Sequence, residues 1–266
     1  PFSRVQFLAA RASREGGVKH NRARRVSAVL DGAGKPLSYD RDDSADQKLT
    51  ISLPETVPAG GKITLVFNYG GPLSSRIADP SAGPRLSYMG KDGGYLLLPA
   101  RWFPLTGFPS NRYTGIFQIE VPGTMTVVGT GVSPGPPVSV TPQLTSGPAP
   151  PSAPALENSR QAAPVSPRSA PPPPSMENER MLYTFRVDKP EAAGTFVISP
   201  LQLSPVRAEG MSFSVYTPPA AAGTAQVYAD TVAHILDFYN GEFGALPPAS
   251  MKIAQMLDGS VDGFAA

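Results

Sequence analysis

The stretch DGGYLLLPARWFPLTGFPSNRYTGIFQIEVPGTMTVVGTG, residues 92–131, decides the fold. Phe117, Ile119 and Val121 lie on one side of an extended chain, while the residues between them are polar. This alternation is typical of a strand with one buried and one wet face. Trp102, the single tryptophan, lies in a dense apolar run just before it, so the stretch predicts strands that line a core.

The apolar pattern resumes in Met125 to Val128, directly after Pro122-Gly123. Pro-Gly is a turn signal because proline presets one backbone angle and glycine tolerates positive φ. The two runs therefore predict a β-hairpin. Trp102 itself is interpreted as a core residue, since its neighbours Leu96 to Leu98 and Phe103 are apolar.

Strand-like runs of the same period occur on both sides of this stretch. Leu49 to Leu53 and Ile63 to Tyr69, joined by a Pro/Gly connection, predict paired antiparallel strands. Regular spacing of short strands favours an antiparallel β-sandwich or open barrel, which we expect to span residues 1–216. Further predicted strands are Val26 to Leu30, Tyr183 to Val187, Thr195 to Ile198 and Met211 to Val215.

Composition limits the function classes. With 266 residues and 41% hydrophobic content, the chain can bury a full core. The net charge of +2 gives no general argument for nucleic-acid binding, and no run of about 18 apolar residues predicts a membrane span. The absence of cysteine excludes disulfides and thiolate metal ligands. Since the chain begins at Pro1 inside a patterned segment, we interpret it as a fragment.

Residues 133–175 differ in composition from the rest. They contain 14 prolines and no aromatic residue. A segment of this composition buries too little surface to offset its conformational entropy. We predict a disordered insertion in a loop between two strands, more plausibly a passive spacer than a recruitment site for a proline-binding module.

The character of the chain changes after residue 216. From Thr224 to Tyr239, apolar residues recur three or four positions apart and predict a helix that ends at Asn240-Gly241. Its apolar face is predicted to comprise Ala225, Tyr228, Val232, Ile235, Leu236 and Tyr239. Met251 to Leu257 then predicts a strand. Residues 217–266 are therefore interpreted as the truncated start of a second domain.

Catalytic groups are scarce in the sequence. The two histidines, His20 and His234, lack a metal-ligating neighbour at i+4, and no phosphate loop or nucleophile elbow is present. His234 is interpreted as a solvated helix residue. The basic region from Arg11 to Arg25 lacks interleaved aromatic residues, which favours a solvated loop over an anion-binding patch. No catalytic or metal-ligating residue is assigned in this chain.

The order of several short motifs resembles the N-terminal part of the aminopeptidase N family of zinc metallopeptidases. The motifs are Ala100 to Pro104, Asn111 to Thr114, Val121 to Gly123 and Thr126 to Gly131. The helix, then Phe243 to Pro247 and the strand that follows, resemble the start of the family's thermolysin-like catalytic domain. The likeness covers most of the chain outside the insertion.

This resemblance implies a saddle-shaped β-domain followed by the opening helix and strand of an α/β catalytic domain. It also implies zinc, bound by HExxH and a later glutamate, and peptide hydrolysis at an amino terminus. That motif is absent here and is expected beyond Ala266, so the implied partners are a peptide substrate and the missing catalytic domain. The fragment is expected to be inactive alone.

The family's substrate-amine loop, GxMEN, falls by order near Gly263, Phe264 and Ala265, where only the glycine agrees. These three residues are the substrate-cleft candidates. Met176 to Asn178 does spell MEN, but it lies at the edge of the proline-rich segment and is interpreted as coincidence. The family's DEP, expected after Phe103-Pro104, is also missing.

Two other functions remain open. One is a non-catalytic relative whose cleft serves binding. The other is a β-sandwich adhesion or carbohydrate-binding module with Trp102 as an exposed platform. The resemblance favours an extracytoplasmic parent, either periplasmic, secreted or membrane-anchored.

Overall fold

The computed structural model describes residues 2–8, 25–41, 48–70, 73, 86–107, 110–140, 179–244 and 251–256. Within them the chain forms β-strands and one α-helix, α1, at Ala225–Phe243. The strands, β1 to β15 in chain order, are Phe2–Leu8, Arg25–Asp31, Tyr39–Arg41, Lys48–Val57, Leu65–Gly70, Ser87–Gly90, Gly93–Leu96, Tyr113–Pro122, Thr126–Gly129, Val138–Val140, Arg180–Glu191, Phe196–Ser199, Gln202–Ala208, Met211–Thr217 and Met251–Ala254. The mainly β, antiparallel fold is confirmed.

The first core lies between two small antiparallel sheets. A three-stranded sheet has the order β1-β4-β3, and β2 pairs with β5 in a second sheet. Leu49, Ile51 and Leu53 alternate inward from β4 and pack with Val29 and Leu37. The period-two pattern of β4 thus sets which side is buried.

The second core includes buried residues from the stretch 92–131, namely Leu96, Val121 and Val127. Its sheets have the orders β10-β11-β8 and β6-β7-β12-β9. Val121 from β8 and Phe185 from β11 meet Phe196 and Ile198 from β12. The inward residues of β8 are those that the sequence alternation predicts.

The third core lies between α1 and strands β13 and β14, and includes Ala208, Phe213 and Val215. β14 and β15 are parallel, and α1 connects them, while β13 pairs antiparallel with β14. Parallel neighbours need a crossover, and here a helix supplies it. The chain thus forms a β-α-β unit from β14 to β15, which starts before residue 216. The second domain predicted for residues 217–266 stays a prediction.

The predicted hairpin at Pro122-Gly123 is wrong. β8 pairs with β11, and β9 pairs with β12, so the turn carries the chain from one sheet to the other. The predicted pairing of Leu49 to Leu53 with Ile63 to Tyr69 is wrong for the same reason, because β4 pairs with β1 and β3 while β5 pairs with β2. Pro122-Gly123 does form a turn, as predicted. The turn connects strands of two different sheets, and such a turn uses the same residue types as a hairpin.

The disordered insertion predicted for residues 133–175 is wrong at its start. Val138–Val140 forms β10 and pairs with Leu182, Met181 and Arg180 of β11. Two valines around a serine satisfy the strand pattern in spite of the neighbouring prolines. Residues 141–178 lie outside the described part of the chain, so the rest of that prediction stays a prediction.

The helix runs further than predicted. It ends at Phe243, where Gly244 adopts a positive φ of 87° and donates its N–H to the Asn240 carbonyl at 3.0 Å. Its fully buried residues are Ala225, Ala229 and Ala233. Val232 and Leu236 of the predicted face are partly buried against the same core, as predicted. Tyr228, Ile235 and Tyr239 of that face are exposed instead.

Candidate functional site

The substrate-cleft candidates Gly263, Phe264 and Ala265 lie outside the described residues. The same holds for His20 and for Met176 to Asn178. The structure does describe the strand that leads toward the cleft candidates, since β15 and the two residues after it are placed as far as Met256. The candidate site is therefore built from the residues that hold β15.

Strand β15 is packed on both faces. Met251 and Ile253 contact the core under α1. Ala254 and Met256 contact the opposite core, which includes Tyr95, Leu97, Val128, Val197 and Leu201 of the β-domain sheet. Burial on both faces is typical of a parallel strand. This core around Tyr95 and Leu97 joins the β-α-β unit to the β-domain, so the position of β15 is fixed relative to both.

Lys252 adds a polar connection at the same junction. Its Nζ donates to the Gly131 carbonyl at 3.2 Å and to the carbonyl of Gly129, the last residue of β9, at 3.4 Å. The ammonium also lies 6.0 Å from the centroid of the Phe185 ring. Partial burial lowers the pKa of Lys252 below its ordinary value. In the sequence, Lys252 is a charged residue inside an apolar strand pattern, which indicates a polar partner for it; the sequence analysis did not predict this contact.

The loop that receives Lys252 depends on a glycine. Gly131 has a φ of 90°, and a Cβ there would lie 2.7 Å from the Arg186 carbonyl oxygen. Thr130, between the two accepting glycines, takes the Gly194 N–H on its Oγ1 at 2.9 Å. The positive φ of Gly131 and the hydrogen bond at Thr130 restrict the conformation of this loop, in which the Gly129 and Gly131 carbonyl oxygens accept from Lys252.

Two polar atoms are buried at the far end of the parallel pair. Thr217 follows Tyr216 on β14, and Gln255 follows its register partner Ala254 on β15. Within the described residues, Thr217 Oγ1 and Gln255 Oε1 have no hydrogen-bond partner. The carboxyl ends of parallel strands are common ligand sites.

Trp102 lies against the second core. Its indole N–H donates to the Gly194 carbonyl at 2.8 Å, and its ring lies 5.9 Å from the Phe196 ring and 6.0 Å from the Phe117 ring, centroid to centroid. A tryptophan whose polar atom is used internally is a poor platform for a sugar. The structure favours the interpretation of Trp102 as a core residue. Arg101 lies in the adjacent 3₁₀ turn, Pro99–Arg101.

Tyr113, at the start of β8, anchors a loop of the β-domain. Its hydroxyl donates to the Ala193 carbonyl oxygen. Burial, helped by the charge of Glu191, raises the pKa of Tyr113 to about 12. The sequence showed Tyr113 only as part of a strand and gave no sign of this contact.

The described residues do not fit a zinc ion. They contain no group of three or more His, Cys, Asp or Glu side chains that could hold a metal. His234 Nε2 lies 3.8 Å from Glu209 Oε1, with both side chains largely exposed. Within the same residues, no helix has the length and apolar character needed to cross a membrane.

Comparison with known proteins gives matches in structure alone. No protein-family profile matches the chain, and no curated protein matches it in sequence. An M1 zinc metallopeptidase from Deinococcus radiodurans, solved as a variant bound to the substrate Tyr-Ser-Ala, aligns with 96% of this chain and 49% of its own at 16% identity, with a TM-score of 0.57. The fold is that of an M1 zinc metallopeptidase's N-terminal β-domain and the start of its next domain.

Two further solved structures agree. A two-domain M1 zinc metallopeptidase variant bound to L-tryptophan aligns at 18% identity, with a TM-score of 0.55, over 96% of this chain and 49% of its own. An M1 zinc metallopeptidase from Deinococcus radiodurans aligns at 16% identity, with a TM-score of 0.54, over 96% of this chain and 48% of its own. The chain thus spans about half the length of the M1 metallopeptidase structures that it matches.

Proposed function

We propose that this chain is the N-terminal portion of a zinc-dependent metallopeptidase of aminopeptidase type. The parent protein hydrolyses the peptide bond next to a free amino terminus. The observation that carries this proposal is the match to M1 metallopeptidases over 96% of the chain, which includes both the β-domain and the β-α-β unit. A match to the β-domain alone would fit many unrelated functions.

Zinc belongs to the proposed parent and is not assigned to these residues. When bound, it would lower the pKa of a bound water and polarise the substrate carbonyl. Its ligands, an HExxH pair and a later glutamate, are proposed to follow Ala266. The chain described here is accordingly proposed to be inactive alone.

The role of the described residues is to position the cleft. β15 is held by α1 on one face and by Tyr95 and Leu97 on the other. Gly263, Phe264 and Ala265, a few residues further along, are proposed to line the substrate cleft. A rigid strand before a binding loop supports precise placement of that loop. An extracytoplasmic location of the parent is part of the same proposal.

The test uses the longer polypeptide encoded by the same reading frame. We expect an HExxH sequence after Ala266 and hydrolysis of an amino-acid p-nitroanilide that is abolished by a chelator and restored by zinc. The 266-residue chain, assayed in parallel, is expected to show no hydrolysis. An intact fold without the HExxH sequence would overturn the peptidase proposal in favour of a non-catalytic relative.

A further inference from the structure

Lys252 has an amine whose surroundings differ from those of an ordinary surface lysine. The residue is exposed on β15, so reagents in solution can reach it. Its Nζ nevertheless lies against backbone, and it donates to the carbonyl oxygens of Gly131 and Gly129. No carboxylate in the described part of the chain forms an ion pair with it. The side chain therefore lacks the negatively charged neighbour that most strongly favours a protonated amine.

The two carbonyl oxygens also suit the neutral form of this amine. A lysine ammonium has three N–H donors, whereas the neutral amine has two N–H donors and a lone pair. The Gly129 and Gly131 carbonyls can accept both of those N–H groups, which leaves the lone pair directed away from them. Partial burial lowers the pKa of Lys252, so the third proton is lost more easily than from a lysine in water. The site thus holds a nucleophilic amine in place.

The contacts of Lys252 depend on its charge and its donors. The ammonium lies 6.0 Å from the centroid of the Phe185 ring, which is within the range of a cation–π interaction. Acylation of Nζ would leave an uncharged amide with a single N–H, so one of the two carbonyls would lose its donor and the ring would lose its cation. Phe185 and Gly129 belong to strands β11 and β9 of the β-domain. The modification would therefore weaken the contacts between β15 and the β-domain.

We propose that Lys252 is a site of acylation by an activated acyl donor, and that this modification loosens β15 from the β-domain. The neutral Nζ attacks the carbonyl carbon of the donor, and an N–C bond forms as the bond from that carbon to the leaving group breaks. The leaving group departs with the electron pair, and a proton from Nζ passes to water. Acyl phosphates and acyl thioesters share this chemistry. The inference goes beyond the proposed function and does not depend on it.

The first test compares single lysines in the 266-residue chain. The folded protein is treated with acetyl phosphate at low conversion near neutral pH, and acetylation of each lysine is measured by mass spectrometry. We expect Lys252 to react at least about threefold faster than Lys189, an exposed lysine on β11, because a lysine that is partly desolvated is more often neutral. In concentrated urea the two rates should become equal within about twofold, since unfolding removes the environment that distinguishes them.

A parallel reaction with an acetyl thioester separates the two sources of the acyl group. Faster reaction of Lys252 than of Lys189 with either donor supports the proposal, and the donor that gives the larger ratio identifies the source. A rate at Lys252 equal to or below that at Lys189 with both donors would overturn the proposal. Neither zinc nor a peptide takes part in the reaction, so that result would leave the proposed function in place.

The second test measures the consequence for β15. Acetylation of the natural sequence should speed up amide hydrogen exchange in β15 at least about threefold, as the loss of one hydrogen bond implies, and should leave β4 unchanged. The matched control is Lys252→Arg, which keeps the charge and the donors but has no amine to acylate. Unchanged exchange in the acetylated natural sequence would overturn the proposal. An equal acceleration in acetylated Lys252→Arg would assign the effect to other lysines and would overturn it too. If Lys252→Arg does not fold, Lys252→Gln, a neutral amide in the same position, should show the faster exchange without any reagent.

Discussion

At the scale of single residues, Tyr113 gives the clearest pH prediction. Its pKa is raised to about 12 in the folded chain from an ordinary value of 10.0, mainly by burial. The unfolded state therefore loses this proton first, so stability from Tyr113 is complete below pH 10 and is lost as pH rises toward 12. We expect the unfolding free energy of the natural sequence, measured in urea from pH 8 to 11.5, to fall more steeply than that of Tyr113→Phe.

The control for Tyr113 is Tyr228→Phe, a tyrosine that is 39% exposed on α1. That substitution should leave the slope of stability against pH close to that of the natural sequence. Parallel curves for the natural sequence and Tyr113→Phe would contradict the prediction. At neutral pH, Tyr113→Phe should cost about 1 kcal/mol, since it removes one hydrogen bond to a backbone carbonyl.

At the scale of elements, the pairing of β10 with β11 brings together the two ends of the segment 141–178. Val140 lies opposite Arg180 in an antiparallel register. Residues 141–178 thus begin and end at the same end of one ladder. Replacing them with Asn-Gly, a pair suited to a tight hairpin, should shift the melting temperature by less than about 4 °C.

Deleting residues 138–178 is the matched comparison for this replacement. It also removes β10, whose backbone pairs with β11, and should lower the melting temperature further. A large loss of stability on replacing 141–178 alone would show that the segment contributes to the core. Circular dichroism during a thermal scan measures both variants.

At the scale of the whole molecule, Lys252 connects the β-α-β unit to the β-domain through two carbonyl oxygens. Lys252→Met keeps the length and the apolar stem but removes the donors, which leaves the Gly129 and Gly131 carbonyls without this partner. We expect a loss of about 1 to 3 kcal/mol in urea unfolding. We also expect the substitution to speed up amide hydrogen exchange in β15 more than in β4, because it removes a contact at the junction.

Lys48→Met is the control for that substitution, since Lys48 lies at the start of β4, in the sheet of the first core. It should change stability by less than about 0.5 kcal/mol, as surface substitutions usually do. An equal loss in both variants would indicate that Lys252 acts only through net charge. Lys252→Arg, which retains donors, should recover part of the stability.

The sequence alone predicted the alternating strands well. Leu49, Ile51 and Leu53 point inward as their spacing requires, and so do Phe117, Ile119 and Val121. Periodicity reports which face of one strand is buried, since that depends on local geometry alone. It carries no information about the partner strand, which is why the predicted hairpin at Pro122-Gly123 was wrong.

The site was less predictable. Lys252 and Tyr113 meet groups that lie far away in sequence, such as the carbonyl of Gly131, which Lys252 reaches across 121 positions. The helix shows the same limit. Its large residues Ile235 and Tyr239 satisfied the helical period, but the alanines fit the narrow space over β14.

The amino-acid sequence by itself determined the strand faces, the change from β-structure to a helix after residue 216, and the absence of cysteine chemistry. Tertiary structure alone decided which strands pair, which side of α1 is buried, and how β15 is joined to the β-domain. The physical reason is range. Alternation and helical period follow from the geometry of neighbouring residues, whereas pairing and burial depend on contacts that exist only after distant segments have met.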